Sequence, residues 1–189
     1  MPFTPYHFGP AAFLGLLFRK WLDIPVFVLA NVAIDVEVLV VGWMDLGYPT
    51  HRYCHTFLGA ALVGAVWGLA AYGLRPLFRW GMRLMHVDYA PKLRTMIISG
   101  ILGACFHVLI DAFYHYDVRP FWPFSKTQLW RISWDTLGPR LFKHRIELIC
   151  VAFFIAAAIP YGFAVYSYIT KHRRETEISQ PQFMEAKAK

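Results

Sequence analysis

Apolar residues gather in four runs, at 24–44, 57–74, 96–113 and 148–169, divided by stretches where charge, proline and aromatic side chains concentrate. Wound as α-helices rising 1.5 Å per residue, these runs are long enough to cross the ~30 Å of bilayer hydrocarbon. The second and fourth carry no charged residue. In the second, Ala60, Gly64 and Gly68 recur every fourth position, a small-residue stripe that lets a neighbouring helix approach closely. A shorter run at 8–18 would reach only about 16 Å as a helix, half a bilayer. Its pattern fits either a re-entrant half-helix or an amphipathic helix lying at the surface. The expected fold is therefore all-α: an integral membrane bundle of four transmembrane helices plus an N-terminal re-entrant or interfacial half-helix, forming one domain over residues 1–170.

The stretch 114–145 is rich in Tyr, Trp, Phe and Pro, with RPFWPFS at its centre. Aromatic rings favour the membrane interface and prolines interrupt helices, which predicts an interfacial cap over the mouth of the bundle. Beyond residue 170 the chain turns polar and ends EAKAK, the composition of a mobile tail at 171–189.

At 57% hydrophobic and 16% charged over 189 residues, the chain is too apolar for an ordinary soluble domain. The formal charge of +7 does not indicate nucleic acid, because the basic residues sit at the ends of apolar runs and in the loops between them. The positive-inside rule is best met with Arg75, Arg79, Arg83, Lys92, Arg94, Lys171, Arg173 and Arg174 in the cytoplasm, which makes the C-terminus cytoplasmic. Three cysteines, in separate segments and without CxxC spacing, indicate neither a disulfide framework nor a thiolate zinc site. The run at 8–18 is followed by Arg19 and Lys20 and lacks a small-residue cleavage site, so the N-terminus is expected to be retained.

Against this apolar background stand Asp35 and Glu37 in the first run, and His107 with Asp111 in the third. An ionised side chain at mid-bilayer costs roughly 2.5 to 3.5 kcal/mol, so the three acids require neutralising company. His107, Asp111 and His115 recur every four residues and fall in one stripe down a helix face. This pattern suits shared metal ligation or, in a purely structural role, a polar helix-packing network. His51 and His55 repeat the spacing at the mouth of the second run, where an antiparallel bundle brings them to the Asp111 end of the third. Asp35 and Glu37, two apart, point about 200° away from each other on a regular helix. Asp35 is the preferred ligand, leaving Glu37 as a second metal's ligand, a partner behind the ligands or a general base. If Arg19 and Lys20 mark the inner surface, His7 and Asp35 rise to similar depths and can meet.

Two divalent cations with one bridging hydroxide would balance three carboxylates in a low-dielectric site. Such a pair would activate water and clamp the oxygens of a scissile phosphate or carbonyl group. Arg52 and Arg119, close in sequence to the histidines, are candidates for an anionic substrate group.

In order, the motifs are His7 in MPFTPYHFG, then IDVE, HRYCHT and HVLIDAFYH. This series resembles the membrane-bound metal-dependent hydrolases, small prokaryotic inner-membrane proteins, over roughly residues 1–125. The resemblance implies metal ligands at His7, Asp35, His55, His107 and Asp111, with His51 as a further one. In that family the acid motif is a proline followed by two aspartates spaced by one residue; here Ala33 replaces the proline and Glu37 the second aspartate. More remotely, the order is similar to zinc-dependent phospholipase C and single-strand nucleases. The function expected is hydrolysis of an ester or phosphoester bond in a lipid or lipid-linked substrate. The cofactor is a divalent metal, zinc before others, as one ion or two. Glu37 or His115 would move protons, and Arg52 and Arg119 would bind substrate. The alternatives are a metal-ion transporter, an intramembrane metal- or haem-binding protein, and a scaffold whose polar groups only lock helices together.

Overall fold

The computed structural model describes the backbone of residues 5–138 and 142–187, and side chains for 6–138 and 143–176. Arg140, a cation of the aromatic stretch, lies outside the described residues. The described chain is helical throughout, with no strand: α1 (Pro5–Leu17), α2 (Ile24–Trp43), α3 (Phe57–Gly73), α4 (Arg75–Leu84), α5 (Leu93–Tyr114), α6 (Trp130–Leu137), α7 (Phe142–Ala156) and α8 (Ala158–Lys187). Helices α2 and α5 are each long and apolar enough to cross a membrane, as is the stretch from 143 to 176 formed by α7 and α8; α3 with α4 makes a bent fourth candidate. The all-helical membrane bundle read from the hydrophobic pattern is the fold observed.

α5 is the central helix, packed most extensively against α3 and then α2. The α3 contact is as close as backbones allow: a methyl group at Gly64 would collide with the Gly100 carbonyl oxygen, and one at Gly100 with that of Gly64. Ala60, Gly64 and Gly68 are all buried, so the small-residue stripe is the face that α3 turns toward α5. The base of α2 is pinned by Asp23. Its carboxylate accepts hydrogen bonds from Tyr89 at 2.8 Å and from the Val26 N–H at 3.3 Å, while its own N–H donates to Ser99 Oγ at 2.7 Å.

Two elements differ from the expected pattern. The polar stretch after α3 is not a loop: α4 leaves α3 at 79° and runs across the end of the bundle, because Pro76 cannot continue the α3 ladder and Arg75, Arg79 and Arg83 recur at helical spacing. The tail is also helical in backbone as far as Lys187, continuous with α8. The aromatic stretch is irregular to residue 129 and then forms α6; its fully buried Pro120 accepts the Phe57 N–H at 2.8 Å, tying it to the start of α3.

α1 packs mainly on α7 and α2. Its approach to α7 is closest at Gly9, where a methyl group would strike the Cys150 carbonyl oxygen. That contact seats His7, 7% exposed, inside the bundle.

Replacing Gly64 by valine should lower the thermal unfolding midpoint in detergent, with a loss on the order of 1–3 kcal/mol for overpacking. Gly73→Ala, where nothing lies within 4 Å of the added carbon, should leave the midpoint unchanged. Equal midpoints for Gly64→Val and wild type would contradict the close α3–α5 seam.

Candidate metal centre

The ends of α2 and α5 and the starts of α1 and α3 meet at one end of the bundle, and each brings ionisable side chains. Asp35 Oδ1 lies 3.2 Å from His107 Nε2 and 3.8 Å from His55 Nε2; Asp111 Oδ2 lies 3.1 Å and 3.5 Å from the same two nitrogens. Two atoms each ~2.0–2.1 Å from a tetrahedral ion are ~3.3 Å apart, so these four separations are close to those of four of the six edges of a zinc-sized tetrahedron. One ligand atom from each of Asp35, His55, His107 and Asp111 lies within 4.8 Å of all the others.

The histidine nitrogens bear on the choice between a cation centre and a simple polar network. His55 Nε2 and both ring nitrogens of His107 are buried without a hydrogen-bond partner, although carboxylate oxygens stand close by. A buried polar nitrogen left unpaired is costly, and native interiors avoid it. Lone pairs aimed at a shared point between two carboxylates are what an ion satisfies. His7 stacks on His107 at 4.4 Å between ring centres, a contact that two protonated rings would oppose through their like charges.

Hydrogen bonds behind these groups fix their orientation. Glu37 accepts from His55 Nδ1 at 2.9 Å, which leaves His55 Nε2 as the lone-pair nitrogen facing the centre. The same carboxylate accepts the backbone N–H groups of Cys54 at 2.9 Å and Arg52 at 3.0 Å, holding the loop that carries His55. Asp35 thus faces the cluster directly, while Glu37, turned by its two-residue spacing, grips the α2–α3 loop. Thr56 caps α3, its side chain accepting from the Gly59 N–H at 2.9 Å.

A second set surrounds the other Asp111 oxygen. Asp111 Oδ1 lies 2.9 Å from His7 Nε2 and 3.9 Å from His115 Nε2. His51 Nε2 stands 3.9 Å from Asp111 Oδ2, and His51 Nδ1 donates to Asp117 at 2.9 Å. His51, His115 and Asp117 form a further trio able to hold an ion. Burial works to raise the Asp117 carboxyl, but the hydrogen bonds from His51 and Thr50 outweigh it and hold the group well below the usual carboxylate range. Burial pushes the His115 imidazole down to about 4, against the opposing pull of Asp111.

All eight expected acids and histidines, His7, Asp35, Glu37, His51, His55, His107, Asp111 and His115, are therefore brought together. Both arginines line one cleft, and they differ in what their side chains are bonded to. Arg52 is spent on its own loop, its guanidinium donating to the carbonyl oxygens of Leu46 at 2.8 Å and Pro49 at 3.0 Å. Arg119 lines an open cleft of about 420 Å³ beside His51, Asp117, Tyr48 and Trp122. Asp117 and Glu147 went unread in the sequence. Asp117 sits two residues past the histidine stripe and off its spacing; Glu147 in α7 accepts a hydrogen bond from Tyr114 at 2.7 Å and borders the His7–Asp111 side of the cluster.

Fold and site together define an integral membrane helical bundle with a buried histidine–aspartate cluster at one end, able to hold a metal ion. The chain belongs to the YdjM inner membrane protein family, whose model matches residues 6–173. No curated protein and no solved structure matches it.

Glu37→Ala strips the acceptor from three donors, and hydrogen bonds to a charged group are worth about 1.5–3 kcal/mol each. Its thermal midpoint should fall well below that of wild type, and zinc affinity measured by chelator competition should drop by about 10- to 100-fold. A variant matching wild type in both would remove Glu37 from any supporting role.

Proposed function

We infer that this protein is a metal-dependent hydrolase that cleaves an ester or phosphoester bond in a lipid or lipid-linked substrate. The observation that carries the reading is the pair of buried, unpartnered nitrogens, His55 Nε2 and His107 Nε2, facing Asp35 and Asp111 at tetrahedral separations. Imidazole and carboxylate ligands at near-tetrahedral separations suit zinc. Asp35, His55, His107 and Asp111 Oδ2 would hold one ion; Asp111 Oδ1 and His7, with His51 beside them, would hold a second. Bound there, the metal supplies Lewis acidity and lowers the pKa of water toward neutrality.

The remaining chemistry belongs to the chain. Glu37 and Asp117 keep His55 and His51 in the tautomer whose Nε2 faces inward. In this reading Glu37 is a positioning residue, and His115, 3.9 Å from Asp111, is the group placed to move a proton. Arg119 makes no hydrogen bond or ion pair through its side chain among the described residues, so its fork is available to an anionic group in the cleft.

A lipid substrate is favoured by what adjoins the cluster on its other side. A narrow gap lined by Tyr6, His7, Asp111 and His115 shares Ile110, Ile146 and Cys150 with an apolar groove of about 340 Å³ between α1, α5 and α7. An acyl chain in that groove would bring its headgroup linkage to the histidines sideways from the bilayer. The polarity of the two ends supports a cluster facing the outer side, with the basic end and the C-terminus in the cytoplasm. Ion transport is the weaker reading: between the cluster and the basic end, Val26, Ala71, Phe78 and Met96 pack into an apolar layer.

Protein purified without chelator should carry zinc by elemental analysis, and His107→Ala and Asp111→Asn should lose most of it. Both should lower release of product from phospholipid or lipid-phosphate substrates by about 100-fold or more. Metal-free wild type, or unchanged turnover in both variants, would defeat the reading. Arg119→Ala should raise KM for anionic substrates more than tenfold, whereas Arg52→Lys should act mainly on stability; the reverse pattern would contradict the roles given to the two arginines.

A further inference from the structure

The end of the bundle opposite the histidines carries a second cleft, of about 180 Å³, walled by α4, the turn after it and α8. Arg79 and Arg83 line it from successive turns of α4. Across from them stand Tyr168 and His172 of α8, their rings stacked at 4.1 Å. The single carboxylate lining this cleft is Asp88, and it is engaged by Lys171 at 3.3 Å. Neither guanidinium has a hydrogen-bond or ion-pair partner among the described residues. Like charges one turn apart repel, and two unpartnered guanidinium forks over one hollow suit a phosphate group.

The setting of α4 indicates where such a phosphate comes from. The helix lies across the bundle, bent 79° from α3. Phe78 and Met82 are buried against the protein, while Leu77, Trp80 and Leu84 are exposed. At 100° per residue, Arg75, Arg79 and Arg83 fill the arc between those two faces. A helix that dips leucine and tryptophan into the hydrocarbon edge holds its arginines at the depth of lipid phosphates.

We propose that this cleft is a binding site for the phosphate of an anionic phospholipid, gripped by Arg79 and Arg83 and closed by Tyr168 and His172. His172 Nδ1 is already bonded to the Tyr168 carbonyl oxygen at 2.9 Å, which leaves Nε2 for the ligand. The bound lipid fastens α4 to α8. It is a fixed lipid rather than a substrate, since the apolar layer of Val26, Phe78 and Met96 separates it from the histidine cluster.

The test is thermal unfolding of the full chain in detergent, followed by tryptophan fluorescence, with added phosphatidylglycerol, phosphatidylcholine or inorganic phosphate. Phosphatidylglycerol should raise the midpoint by several degrees where phosphatidylcholine does not. The double variant R79Q/R83Q should keep less than a third of that rise. Arg75→Gln should keep all of it, because the Arg75 guanidinium is occupied by the Tyr72 carbonyl oxygen and ring. Native mass spectrometry of the wild type gives the same discrimination without a variant, with phosphatidylglycerol retained and phosphatidylcholine lost. An undiminished rise in the double variant, or equal stabilisation or retention with phosphatidylcholine, overturns the site. An equal rise with inorganic phosphate at the same concentration assigns the cleft to a soluble anion and overturns the lipid.

Discussion

The Asp111 carboxylate is the group on which the rest of the structure depends. It is almost wholly buried and lies within 4 Å of five imidazoles, those of His7, His51, His55, His107 and His115. A carboxylate cannot be left alone in such a place: removing an ion from water costs several kcal/mol even after relaxation. Imidazoles supply dipoles and hydrogen bonds, but in their neutral form they do not cancel its charge or that of Asp35 beside it. The two Asp111 oxygens face different partners, Oδ1 toward His7 and His115, Oδ2 toward His55 and His107. On the proposed reading, that division would let it serve two cations, one on each side.

The scaffold serves this carboxylate by bringing backbones unusually close. Glycine contact between α3 and α5 sets the height of His55 against His107, and the Gly9 contact with α7 places His7 over His107. Rigidity at the seam matters because ligand geometry tolerates only a few tenths of an ångström of error. The loop between α2 and α3 is held with equal care: Glu37 takes two of its backbone N–H groups, Arg52 ties its carbonyl oxygens together, and Asp117 anchors Thr50 and His51. Polar bonds that look dispensable in a surface loop here hold His51 and His55 over the buried cluster.

Much of the site was legible in the chain because helical periodicity is local. Four-residue spacing places His107, Asp111 and His115 on one stripe, and the two-residue step from Asp35 to Glu37 turns the second acid away toward the loop. Antiparallel neighbours then bring HRYCHT to the same end without any knowledge of packing. The partners that escaped notice lack such regularity. Asp117 lies in an aromatic stretch with no period and meets a histidine 66 positions earlier. Arg52 looks like a free cation in sequence, but loop closure aims its guanidinium at its own carbonyl oxygens. The sharp turn into α4 was equally hidden, since Pro76 and a basic stripe read as an ordinary cytoplasmic loop until the arginines are seen to share a helical arc.

Placement of a cation at the shared focus of these side chains is the central claim, and anomalous diffraction from an unsoaked crystal, collected on both sides of the zinc edge, tests it most directly. A peak bounded by Asp35, His55, His107 and Asp111, present above the edge and lost below it, is the expected result, with a second on the His7 and His115 side of Asp111 if two ions are held. Density showing those carboxylates bonded only to protonated imidazoles, with no peak between them, would contradict it.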